Sequence, residues 1–178
     1  MNSKISLCVY MILLLSACVF RTNNIDTSNT DIGIVKVRSN RFSEHTYTHK
    51  YQRNSIRALP LIIKIGTKEN NLDDFIQLEF KAYNKKTPIN YEKIEMYNAK
   101  DYKWEWSVYK KHKKFEKNRN FIIESYNTLI DSKVDELIQF FEFQPIYVKF
   151  IGEVESFKHL DDKHVQSLIK TLKYAKNK

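Results

Sequence analysis

Ile76-Gln77-Leu78-Glu79-Phe80-Lys81-Ala82 is the stretch that decides the fold class. Ile76, Leu78, Phe80 and Ala82 fall on one side of an extended chain, and Gln77, Glu79 and Lys81 on the other. Successive side chains of a strand point to opposite faces, so this period of two predicts a strand with one buried face. Asn84-Lys85-Lys86-Thr87-Pro88 ends it, because Pro88 has no N–H to give to a ladder.

Outward from this segment the same signal recurs. On the N-terminal side, Ile32, Ile34 and Val37 suggest a first strand within 31–38, and Leu61, Ile63 and Ile65 a strand that Gly66 ends. On the C-terminal side, Tyr91–Tyr97 and Lys103–Tyr109 read as strands flanking a turn at Asn98–Asp101, and Ile146, Val148 and Phe150 share a face before Gly152. The period changes to helical at Val134, Leu137, Ile138 and Phe141, where Ser132-x-x-Asp135 resembles a capping box. It does so again at Val165, Leu168, Ile169 and Leu172, where Asp161 fits an N-cap and Leu160 and Val165 a hydrophobic staple. The expected architecture is α+β: a mainly antiparallel, β-sandwich-like sheet covered by one or two helices, one of them C-terminal.

Composition narrows the chemistry. At 178 residues the chain is one domain with a short appendage, and 42% hydrophobic residues make it too apolar for disorder. Its three glycines, Gly33, Gly66 and Gly152, are scattered, which excludes Gly-rich phosphate cradles and the Gly-x-Ser-x-Gly elbow. Two cysteines, Cys8 and Cys18, supply neither a disulfide framework nor a zinc cluster.

The first eighteen residues form a leader. Lys4 is followed by an apolar run from Ile5 to Leu15 and then by the small residues Ser16 and Ala17, the order of a secretory signal peptide. The rival is an uncleaved anchor, but only the 16 residues between Lys4 and Arg21 are uncharged, against the ~20 that a spanning helix needs. Leu15-Ser16-Ala17-Cys18 resembles the lipobox of bacterial lipoproteins. The resemblance implies cleavage between Ala17 and Cys18, diacylglycerol on the Cys18 sulfur, and acylation of the new amino terminus. Two or three chains anchor firmly where one holds marginally. With Val19 after the cysteine instead of Asp, the resemblance implies the outer membrane, facing the periplasm, in a diderm cell, and otherwise the outer face of the cytoplasmic membrane.

Three parts follow: a signal peptide over 1–17, lipidated Cys18 with a polar tether to 30, and one globular domain over 31–178. The twelve tether residues after Cys18 reach at most about 40 Å. Cleavage leaves 161 residues without a free thiol and, with Lys4 gone, a net charge of +8.

Two segments are candidates for binding. Tyr109–Arg119 carries six cations (Lys110, Lys111, Lys113, Lys114, Lys117, Arg119) and one carboxylate, which suits an anionic envelope polymer, phospholipid heads or an acidic protein. The plainer reading is a solvated loop. Nucleic acid is not an expected partner behind such a leader. Tyr102, Trp104 and Trp106 share one strand face and form either a stacking platform or, more simply, part of the core. No cofactor, metal or catalytic group is expected: His45 and His49 would stand about 13 Å apart on a strand. His159, Asp161, Asp162 and His164 suit a helix start. Nothing gathers Asp73-Asp74 or Glu153/Glu155 into a cleft. The expectation is a non-catalytic binding module, with a periplasmic inhibitor or immunity-type lipoprotein that captures a toxic enzyme as the alternative.

Overall fold

The Ile76–Ala82 alternation lies inside a strand, β4 (Asn71–Asn84), at the middle of a six-stranded sheet. The computed structural model describes residues 33–38, 44–54, 59–68, 71–85, 87–109, 113–117, 121–130 and 132–177. The other strands of the sheet are β1 (Ile34–Arg38), β2 (Glu44–His49), β3 (Leu61–Lys68), β7 (Lys113–Lys117) and β8 (Ile122–Leu129), in the order β1-β2-β3-β4-β8-β7. A four-stranded sheet holds β5 (Lys93–Tyr97), β6 (Lys103–Ser107), β9 (Ile146–Ile151) and β10 (Ser156–Leu160), ordered β10-β9-β5-β6. Every neighbouring pair is antiparallel. Among the described residues there are three helices: α1 (Lys50–Asn54), α2 (Val134–Glu142) and α3 (Asp162–Lys176). The architecture is α+β with a sheet-rich core and a C-terminal helix, as the periodicities predict.

The apolar faces named above meet in one cluster. Leu61 and Ile63, Leu78 and Phe80, Ile94 and Met96, and Ile146, Val148 and Phe150 pack with Leu137 and Phe141 of α2 and with Leu168 and Leu172 of α3. Phe80 of the larger sheet meets Trp106 of the smaller one at 4.9 Å between ring centres.

The join between β2, β3 and α3 is made by polar side chains. The β2–β3 ladder stops at the Tyr47↔Ile65 pair. Beyond it, Ile63 N–H donates to Gln52 Oε1 at 2.7 Å, Thr48 Oγ1 donates to Ile63 O at 2.9 Å, and His164 Nε2 lies 2.6 Å from Leu61 O. A carbonyl only accepts, so His164 carries its proton on Nε2. Gln52 also donates to Ser167 O and Thr171 Oγ1, both at 3.0 Å, tying the fully buried α1 residue to α3. These side chains occupy the places that a strand's backbone would fill.

Asp161 caps α3 as expected, its carboxylate accepting from His164 N–H at 2.8 Å, and Leu160 and Val165 are both buried. The capping box at Ser132 does not form. Helix α2 begins at Val134, so the N-cap position falls on Lys133, with no side-chain cap. Asp135 instead pairs with Lys176 at 2.8 Å. The segment expected to be either a cationic loop or a binding element contains strand β7, paired with β8 from Lys113↔Tyr126 to Lys117↔Ile122.

Candidate binding cleft and the cationic strand

The expected turn at Asn98–Asp101 is held rigidly. Asn98 Oδ1 accepts from Lys100 N–H at 3.0 Å and from Tyr102 N–H at 3.2 Å, and Asp101 adopts the left-handed conformation (φ 59°) that Asp tolerates best among non-glycine residues with Asn. Asn98 Nδ2 donates to Phe140 O at 3.1 Å and Ala99 N–H to Phe143 O at 3.0 Å. The β5–β6 turn is therefore stapled to the C-terminal end of α2, two segments 42 residues apart in sequence at the Asn98–Phe140 contact.

Between turn, strand and helix lies a cleft of about 450 Å³, within the ~300–1,000 Å³ typical of small-ligand sites. Tyr102, Trp104, Phe140 and Phe143 supply aromatic wall, and Lys100, Lys103, Glu136 and Gln139 supply polar groups. Tyr102 is 60% exposed. Trp104 and Trp106 do share a face and stack at 5.8 Å and 25°, but they divide the roles between them. Trp106 packs on Phe80 in the core, whereas Trp104, half-buried, also lines the cleft.

The cations of the cleft differ. Lys103 is committed to the outer face of the sheet, 2.9 Å from Glu105 and 3.3 Å from Glu95. Hydrogen bonds from Lys93, then Tyr97, then Lys103 hold Glu95 well below the ordinary carboxylate range, at about 2. Lys100 Nζ rests 3.4 Å from the Phe143 ring centre, and Lys133 Nζ, beside the cleft, 5.2 Å from that of Trp104. Neither forms an ion pair among the described residues. A cation–π contact at an exposed site contributes only about 0.5–1 kcal/mol, so both ammonium groups can be recruited by an anion.

The cationic segment is not a uniform patch. Lys113 points inward, its side chain only 2% exposed and 3.7 Å from the equally buried Glu124 carboxylate. Its Nζ donates to Tyr91 O at 2.7 Å and sits 4.9 Å above the Tyr91 ring. Glu124 Oε1 meanwhile accepts from Ile89 N–H and, at 2.9 Å, from Asn90 N–H. Burial, with Glu124 as the next cause, keeps the Tyr91 phenol well above its usual range. Lys113 is thus a structural residue clamping the 89–91 loop, which removes it from the anion-binding set expected from sequence. Lys114, Phe115, Glu116 and Lys117 are exposed, and among the described residues β7 pairs with β8 alone. Lysines on such an outer strand discourage edge-to-edge pairing with other chains. Lys110, Lys111 and Arg119 lie outside the described residues, as do Ala17, Cys18, the leader and the tether.

Among the described residues the histidines are dispersed. His164 is buried in the α3–β3 join, His49 Nδ1 accepts from Tyr51 N–H at 3.2 Å, and His159 is exposed on β10 against Tyr147. Among the described residues no group of three His, Cys, Asp or Glu side chains is placed to hold a metal ion, and no helix is long and apolar enough to cross a membrane. Sequence reasoning reached Tyr102 and Trp104 but missed Lys100, Lys133, Phe140 and Phe143. The Asn98–Asp101 turn was the one signal pointing there, and nothing local shows that it docks on α2.

No protein-family model matches the chain, and neither a curated protein nor a solved structure shows significant similarity to it. The functional reading therefore rests on its own residues.

Proposed function

We propose that this protein is a lipid-anchored, non-catalytic binding module of the cell envelope, and that the cleft between the β5–β6 turn and α2 receives an anionic envelope component. The observation that carries the reading is the pair of ammonium groups, Lys100 and Lys133, held over aromatic rings and without a carboxylate partner among the described residues. The lipid anchor rests on the Leu15–Cys18 lipobox. The same reading gives β7 a distance from the anchored edge. A tether leading into β1 reaches one edge of the six-stranded sheet, and β7 forms the other. Five strand spacings, about 24 Å at ~4.8 Å each, separate them. That is less than the tether's reach of about 40 Å, so the anchor itself does not decide whether Lys114 and Lys117 meet head groups.

Two measurements test the proposal. Intact mass of the membrane-extracted protein is expected to show loss of residues 1–17 and a gain of acyl lipid, which Cys18→Ser abolishes. Salt-dependent binding of at least one soluble anionic polymer is expected to weaken more than about tenfold in Lys100→Glu/Lys133→Glu. An unprocessed chain sinks the anchor, and binding indifferent to the charge reversal sinks the cleft.

A further inference from the structure

We infer that the cleft is a subsite for one acidic sugar residue of an anionic glycan, a pyranose ring bearing a single carboxylate. This rests on the reading that the cleft takes an anion, and adds the ring and the charge density. A point charge needs only the lysines, whereas here half of the lining residues are aromatic: Tyr102, Trp104, Phe140 and Phe143. Sugar rings present a face of C–H groups that packs on an aromatic ring while the hydroxyls project sideways. Tyr102, 60% exposed at the cleft, is the surface available for such stacking, since Trp104 already has Trp106 on one side and Lys133 over its ring.

The remaining groups match the rest of an acidic sugar. The Gln139 amide offers both a donor and an acceptor for hydroxyls, and the Glu136 carboxylate accepts from them. Glu136 also offsets part of the cationic charge. Against Lys100, Lys103 and Lys133 it leaves a modest positive excess, and Lys103 is shared with Glu95 and Glu105. A phosphate has no ring to use the aromatic wall. An acidic peptide brings carboxylates but no stacked ring. Lys100 and Tyr102 leave the same turn, fixed by Asn98, so charge and stacking face are delivered together.

The test is tryptophan emission of the membrane-extracted full chain, titrated with oligogalacturonate, poly-L-glutamate, polyphosphate and neutral dextran. Oligogalacturonate is expected to shift the emission at about tenfold lower concentration of charged groups than polyglutamate or polyphosphate, with dextran inert. Tyr102→Ala, at an exposed position where folding is not at stake, is expected to weaken oligogalacturonate about tenfold and leave the other polyanions unchanged. Tyr102→Phe keeps the ring and should keep the binding. If polyglutamate or polyphosphate binds as tightly as the uronate, or Tyr102→Ala weakens all anions alike, the sugar assignment falls while the anion site stands. If no anion binds, both fall.

Discussion

Replacing Lys113 by Met separates a buried lysine from a surface one. The substitution keeps an unbranched side chain of similar length but removes the ammonium that donates to Tyr91 O and faces Glu124 at 3.7 Å. A hydrogen bond from a charged donor contributes about 1.5–3 kcal/mol, and removing one partner of a buried ion pair typically costs about 3–5 kcal/mol because the other charge is left uncompensated. Glu124 keeps the Ile89 and Asn90 N–H groups as donors, which places the expected loss at the lower end, about 3 kcal/mol. At roughly 2–4 °C per kcal/mol for a chain of this size, the melting temperature falls by about 6–12 °C. Urea denaturation at neutral pH, followed by tryptophan emission, measures the loss directly. Lys113→Met/Glu124→Gln is expected to recover most of it, since a neutral amide oxygen still accepts from both backbone groups. Lys114→Ala, on the exposed part of the same strand, should change stability by less than about 0.5 kcal/mol. A Lys113→Met protein as stable as Lys114→Ala would refute the inward-facing lysine and return Lys113 to the cationic surface.

Two further outcomes follow from the β3–α3 join. Gln52→Ala strands the buried Ile63 N–H and severs both links to α3, so denaturation should register a loss of about 2–4 kcal/mol; a loss under about 1 kcal/mol would mean those bonds contribute little. Burial lowers the His164 pKa, opposed by its bond to Leu61. An unfolded histidine, with a pKa near 6.5, then binds its proton before the folded one does. The His164 contribution is complete above about pH 6.5 and shrinks as pH falls below it. His164→Gln should flatten that part of the stability–pH curve, and an unchanged slope would point to other groups.

The legible parts of the fold were those where burial and polarity agree. Strands β4 and β9 and helices α2 and α3 keep apolar residues on one side, β3 adds a buried Ile62 on its other face, and the periodicity of all five is visible without any tertiary knowledge. Strand β8 hides because its inner face carries Glu124, a carboxylate that is tolerable inside only through Lys113 and the loop at 89–91. Strand β7 hides for the reciprocal reason, one of its lysines being spent inward. Helix α1 is short and polar, and its purpose appears only once Gln52 is seen filling gaps in β3 and α3. The cleft was half legible. Its strand residues announced themselves as an aromatic row, but Lys100 and Phe143 meet through a turn docking on a distant helix end.

The dependence of β3 on α3 has a consequence for when the chain can fold. Gln52 reaches Ser167 and Thr171, 115 and 119 residues further on, and Leu61 is completed by His164, 103 residues away. Loops this long close slowly, and Leu61 O and the Gln52 amide N–H groups lack these partners until α3 has been synthesised. A chain cut before Asp161 should leave Leu61 O and Gln52 Nε2 without these partners, uncover the apolar face that α3 buries, and bind chaperones or aggregate. For a precursor that carries the proposed signal peptide the same delay is useful, because α3 acts as a latch and β3 stays unfinished until it has been made.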